Sequence, residues 1–178
     1  MSTPRSRWFE GAGLKVLGIA GWSGAGKTTL LTALVPCLRA LGVRISTIKQ
    51  AHHGLEFDQP GKDSHRHRQA GAEETILANA AGFALFGAAP PPPGLEALLA
   101  RLAPVDLVLV EGFRTHPFAK LEIYRPALGK PPLWPKLPVI AVASDAALPD
   151  CQAPVLNLNA PARIADFVAQ WLGLVSRS

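Results

Sequence analysis

An α/β sandwich around a mainly parallel sheet is what three features of this 178-residue chain predict. The stretch Gly21-Trp-Ser-Gly-Ala-Gly-Lys27-Thr28 fits the pattern G-x-x-x-x-G-K-[ST]. Its setting agrees: residues 14–20 are an apolar run suited to a buried parallel strand and residues 29–41 have helical spacing, so the motif occupies a strand-to-helix turn. Strand and helix patterns then alternate along the chain. The predicted class is a three-layer P-loop NTPase sandwich with one β-hairpin excursion.

Gly42 stops the first helix, and Val43-Arg-Ile-Ser-Thr-Ile-Lys49 alternates with β-branched residues as a second strand. Residues 50–62 are polar and turn-rich, and 63–70 read as a short helix. Glu74-Thr-Ile-Leu-Ala78 and Phe83-Ala-Leu-Phe86 read as short strands, and the proline run 90–93 as a stiff surface connection. Residues 95–102 have helical spacing, and Val105-Asp-Leu-Val-Leu-Val110 is a buried strand ending at Glu111-Gly112. Residues 121–124 predict a strand that, with 129–135, leaves the sheet as an excursion over 113–135. Residues 137–143 and 154–158 are further strands, and 161–172 a closing helix with Pro161 in its first turn. The expected organisation is a tail over 1–13 and a single nucleotide-binding domain over 14–178. An exposed excursion bearing Leu121, Ile123, Tyr124 and Trp134 presents unpaired backbone, so it is the expected joint of a homodimer.

Composition narrows the function. At 48% hydrophobic residues the chain can bury one good-sized core. It has no apolar run of membrane-spanning length and no apolar stretch of signal-peptide form behind Arg5 and Arg7, so a cytoplasmic protein without a membrane partner is expected. Cys37 and Cys151, the two cysteines, fit neither a metal spacing nor a disulfide framework and read as structural thiols. A net charge of +5 suits anionic ligands. Without an RNA-reading motif or aromatic stacking platform, nucleic acid is not an expected partner.

The glycine-rich motif has a specific chemistry. Gly21, Gly24 and Gly26 permit torsions and close approach that a β-carbon blocks, so N–H groups including those of Ser23 and Ala25 can wrap a β-phosphate at the positive end of the following helix. Lys27 would bridge the β- and γ-phosphates, the Thr28 hydroxyl would bind magnesium, and Thr29 would reach the α-phosphate. Glu111, after four apolar residues at a strand end, is the acid that would hold the magnesium through water or position an attacking water; with Lys27 it is the candidate catalytic residue. Asp106, at the start of that strand, reads as a solvated strand cap. The guanine-reading Asn-Lys-x-Asp pattern is missing, and Ala143-Ser144-Asp145 stands in its place. A carboxylate at Asp145 would accept guanine N1–H and the exocyclic amine, which favours GTP over ATP; an ordinary turn aspartate is the other reading.

His52, His53, His65 and His67 fall within sixteen residues, without interleaved cysteines and without a shared helical face for the last pair. Together with Lys49, Asp58, Lys62, Asp63, Arg66 and Arg68, the segment reads as a charged switch or second-ligand loop that meets phosphates or a partner, rather than as a metal store.

These motifs, taken with Thr47-Ile-Lys49, Asp58-Gln-Pro-Gly-Lys-Asp-Ser64, Arg66-His67-Arg68, Ala70-Gly-Ala72, Leu109-Val-Glu-Gly-Phe113 and Lys120-Leu-Glu-Ile-Tyr-Arg125, resemble the MobB family over residues 16–171. The resemblance implies a homodimeric GTP-binding adapter with weak magnesium-dependent GTPase activity. Such a protein assists the guanylyltransferase that joins GMP to molybdopterin, and its second ligand would be molybdopterin or its guanine dinucleotide. The residues leave three alternatives: a metallochaperone-type GTPase, whose metal-binding motifs are absent; a small-molecule kinase, for which Arg66 and Arg68 are a thin lid; and a non-catalytic scaffold that binds nucleotide only to hold its shape.

Overall fold

The computed structural model describes residues 14–51, 60–87 and 93–174. In chain order the elements are β1 (Lys15–Ala20), α1 (Lys27–Ala40), β2 (Ile45–Lys49), α2 (Asp63–Gln69), β3 (Glu74–Asn79) and β4 (Gly82–Gly87). They continue with α3 (Leu95–Leu99), β5 (Leu107–Glu111), β6 (Lys120–Tyr124), β7 (Val139–Ser144), β8 (Val155–Asn157) and α4 (Pro161–Leu172). Described residues of Ala51–Arg101 form one compact unit, and those of the rest of the chain form another.

The larger unit is a six-stranded sheet in the order β2-β5-β1-β6-β7-β8, every neighbouring pair parallel. Parallel strands need crossovers and are buried on both faces, which is why β1, β5 and β7 read as nearly continuous apolar runs. Alternation sorts them: Leu17, Ile19, Leu107, Leu109, Leu121, Ile123, Ala141 and Ala143 join one core cluster with Leu30, Leu34 and Leu38 of α1 and Ile164, Ala165 and Val168 of α4. Leu30, Leu34 and Leu38 recur every four residues, so one stripe of α1 meets the sheet. The opposite face carries Val16, Val108, Val110 and Val142, together with Lys120 and Glu122, all buried.

Here the structure corrects the expected excursion. Lys120–Tyr124 is not an exposed hairpin strand; it lies between β1 and β7, with Leu121 fully buried. Both of its charged side chains are buried, and among the described residues Glu122 Oε2 has no hydrogen-bond partner. Lys120 Nζ donates to the carbonyls of His116 and Phe118 at 2.5 and 3.0 Å and lies 4.0 Å from the centre of the Phe118 ring. Glu122 Oε1 accepts the Leu133 N–H at 2.8 Å. The returning segment is thereby tied to β6, and the strand has no free edge to offer a second copy.

Among the described residues the hairpin is instead β3 with β4, an antiparallel pair in the smaller unit. Asn79 Oδ1 accepts the N–H groups of Ala81 and Gly82, closing its turn. Among the described residues no helix is long and apolar enough to cross a membrane.

Candidate functional site

Sheet order positions the site. The chain leaves β1 at Ala20 into the glycine-rich turn, and register pairs Ile19 with Glu111 of β5 and Ala20 with Glu122 of β6. The carboxyl ends of three adjacent strands thus converge on one turn. Gly21 must be glycine: φ is +148°, and a β-carbon would lie 2.7 Å from the Ile123 carbonyl oxygen. Gly24 and Gly26 are also left-handed, and Gly26 caps α1 with no side-chain hydrogen bond to its first turn. The first N–H groups of a fourteen-residue helix therefore face the turn, with the positive end of its dipole.

Ala25 is buried, while Ser23, Thr28 and Thr29 are exposed. Lys27 Nζ donates to the Trp22 carbonyl at 3.0 Å. Trp22 in turn donates through Nε1 to the Pro131 carbonyl at 2.7 Å and carries the Arg114 guanidinium over its ring at 5.2 Å. The turn is braced from outside as well as by its glycines. Its donors, its lysine and its two threonine hydroxyls fit a polyphosphate with a hard cation.

Glu111 ends β5 with its side chain 14% exposed and Lys49 Nζ 3.8 Å away. Their pairing follows from register, since Lys49 and Glu111 are opposite in β2 and β5. The backbone just past Glu111 is strained. Gly112 has φ +103° and room for no β-carbon, which would meet Gln50 Cβ at 2.5 Å; Phe113 has φ +47°, the one non-glycine residue with positive φ among those described. Gln50 holds that bend by accepting the Phe113 N–H at 2.8 Å and donating its own N–H to the Glu111 carbonyl. Strain held this way beside a carboxylate makes Glu111 a candidate functional position.

Asp145 follows β7 and borders a cleft lined by Ser144, Ala147, Val155, Asn157 and Asn159. Its carboxylate is paired with Arg125 at 2.5 Å, and Arg125 Nε reaches the Ala25 carbonyl at 3.1 Å. Lys27, Thr28, Glu111, Lys49 and Asp145 therefore gather at one end of one sheet. Lys62, Asp63 and Arg66 do not belong to this unit; they lie at and on α2, all three exposed. Asp58, His52 and His53 lie outside the described residues, and among the described residues no three His, Cys, Asp or Glu side chains group as a metal site. Asp106 lies at the far end of β5, where hydrogen bonds from the Arg44 side chain and N–H hold its carboxyl below its ordinary range.

The sequence reading gave no role of their own to Trp22, Gln50 and Arg125. A signal was present for the last, a lone arginine directly past a strand end and before Pro126.

A parallel sheet whose glycine-rich turn, acidic strand end and Asp145 cleft lie at the carboxyl ends of its strands defines an α/β protein of the doubly wound type, with its candidate site where such sheets take ligands. The model of the MobB family, molybdopterin guanine dinucleotide synthesis protein B, matches residues 16–145, and the chain belongs to that family. It is 41% identical over 165 residues to an Escherichia coli protein and 40% identical over 163 residues to one from Haemophilus influenzae, each named molybdopterin-guanine dinucleotide biosynthesis adapter protein. Those alignments cover 89% of this chain in both cases, and 94% and 90% of the relatives. The crystal structure of Bacillus subtilis MobB superposes with a TM-score of 0.69 at 23% identity, covering 92% of this chain and 99% of that one, so the fold is shared.

Proposed function

We propose that this protein is a GTP-binding adapter of molybdopterin-guanine dinucleotide biosynthesis, acting in the cytoplasm beside the guanylyltransferase that joins GMP to molybdopterin. One observation carries the nucleotide part: the braced glycine turn at the head of α1 lies in register beside Glu111 on β5. The adapter part is supported by the relatives' names and the length of chain they share.

In this reading the N–H groups of residues 23–26 and the head of α1 cradle the β-phosphate, and Lys27 exchanges the Trp22 carbonyl for phosphate oxygens. Thr28 and Glu111 would hold magnesium, directly or through water; the ion neutralises the phosphates and lowers the barrier to hydrolysis. Lys49 keeps the Glu111 carboxylate turned along the sheet edge, and Gln50 fixes the bend behind it. Asp145 would accept the N1–H and amine of guanine. Lys62, Asp63 and Arg66, with Asp58, would meet the molybdopterin phosphate or the guanylyltransferase. No arginine or glutamine is assigned to orient an attacking water, so hydrolysis is slow. The protein would work as a homodimer, through a surface other than β6.

Two measurements test this. Titration of GTP and ATP with and without magnesium should show magnesium-dependent binding with GTP preferred. A reconstituted guanylylation of molybdopterin should run faster with the protein present than without it. Absence of triphosphate binding by the folded protein would overturn the nucleotide part; unchanged guanylylation would overturn the adapter part.

A further inference from the structure

The two loops that would read phosphate and base are 120 residues apart in sequence, Ala25 against Asp145, and one side chain joins them. Arg125 donates through Nε to the Ala25 carbonyl oxygen at 3.1 Å and through Nη1 to Asp145 Oδ2 at 2.5 Å. Its position follows from topology. β6 is the one strand with β1 on one side and β7 on the other, Tyr124 pairs with Ser144, and Arg125 and Asp145 are the next residues of each strand. A side chain at the end of β6 is thus the shortest link between the turn after β1 and the loop after β7.

We infer that Arg125 is a specificity-determining positioning residue: it fixes the Asp145 carboxylate relative to the phosphate turn, and so sets guanine selectivity without touching the base. The inference rests on the proposed reading of Asp145 as the base acceptor. Its chemistry is that of a rigid fork. A guanidinium carries its donors in one plane, so the bond to Ala25 orients the bond to Asp145; an ammonium is a single point of charge on a flexible stem and cannot hold both in a fixed geometry. An ionised carboxylate has about four acceptor positions. Arg125 occupies one of them on Oδ2, which leaves Oδ1 and the second position on Oδ2 for two adjacent N–H donors of a ligand in the neighbouring cleft. The Asp145 side chain is 27% exposed and Arg125 35%, so the pair is partly shielded yet open on the cleft side. The turn at Asp145 is also held locally, by the Ala146 N–H donating to Ser144 Oγ at 3.2 Å, but that bond does not reach the carboxylate.

The opposite role is distinct in its consequences. An arginine that merely masked Asp145 would compete with guanine, and its removal would tighten GTP. An arginine that positions Asp145 would weaken GTP on removal, and selectively for the base contacts.

The test uses ratios of affinity in which the triphosphate contribution cancels. GTP, ITP and ATP are titrated into the full chain in magnesium, since inosine lacks the exocyclic amine and adenine lacks the donor pair. Wild type should prefer GTP to ITP and to ATP. Arg125→Ala should lower both preferences roughly 10-fold or more, the size of one charge-assisted contact. Arg125→Lys should lower them also, and serves if the alanine variant fails to fold. Asp145→Asn should abolish the preference by itself, and adding Arg125→Ala to it should change the ratios no further. Unchanged ratios in Arg125→Ala or Arg125→Lys, or tighter GTP, while Asp145→Asn loses selectivity, would overturn this role and leave the base reading standing. Unchanged ratios in Asp145→Asn would instead overturn the base reading itself.

Discussion

The Lys27 ammonium donates to the carbonyl oxygen of Trp22, five residues earlier in the same turn, at 3.0 Å. The lysine is held within the turn it serves, and the bond it makes there is to a neutral carbonyl. A phosphate oxygen offers a full charge in its place.

Lys27→Ala should therefore weaken GTP roughly 100-fold or more, the scale of one or two charge-assisted hydrogen bonds, while leaving the fold unchanged. Calorimetric titration beside a circular dichroism spectrum checks both halves. Wild-type affinity in a folded variant would remove Lys27 from the site.

Glu111→Gln preserves shape and removes the charge that Lys49 faces and that a magnesium ion would meet. GTP hydrolysis should fall at least about 10-fold, whereas Lys49→Ala should change it far less, because Lys49 is solvent-exposed and its 3.8 Å ion pair is worth ~1 kcal/mol or below. Phosphate release under saturating GTP separates the two. Equal rates in Glu111→Gln and wild type would leave the acid a mere strand end.

Self-association is expected through β3 and β4. Ile76, Ala78, Phe83 and Leu85 share one face of that hairpin by register, and Phe83 and Ile76 are 78% and 63% exposed. An apolar face of this kind marks an association surface. Ile76→Ser with Phe83→Ser should bring the mass in light scattering down to that of the 18.8 kDa chain from twice that value. A double variant that keeps the wild-type mass would place the contact elsewhere.

Glu122 predicts a pH dependence. It is fully buried, and burial raises its pKa above the ordinary 4.5, with the Leu133 and Trp134 N–H groups pulling in the opposite direction. The folded chain thus holds this proton more tightly than the unfolded one. Its contribution to stability is complete below 4.5 and is lost as pH rises through the higher folded value. In Glu122→Gln that loss should disappear, so urea midpoints of variant and wild type should diverge in favour of the variant from pH 4.5 upward. Lys120 acts in another window: burial lowers it from 10.5 to about 8, so stability should rise between those two values. Parallel midpoint profiles for Glu122→Gln and wild type between about pH 4 and 7 would show that the carboxyl titrates normally.

Much of this molecule is legible in its residues. The glycine turn, the helix after it and the apolar strands β1, β5 and β7 follow from local pattern, because a strand buried on both faces needs apolar side chains at nearly every position. Glu111 was legible for the same reason, as the first charge after such a run. β6 was not. Lys-Leu-Glu-Ile-Tyr alternates as a strand with one wet face does, and nothing in that pattern says that two carbonyls will take up the lysine ammonium and a distant N–H one oxygen of the glutamate inside the protein.

Local pattern is enough to assign the strands and helices and to single out the glycine turn whose form suits a phosphate, since those depend on periodicity and on torsions that only glycine adopts readily. Tertiary structure alone decided that β6 lies between β1 and β7, and hence that Arg125 meets both Ala25 and Asp145. Strand order is set by long-range packing of side chains far apart in the chain, and a contact that spans 100 residues has no local pattern to announce it.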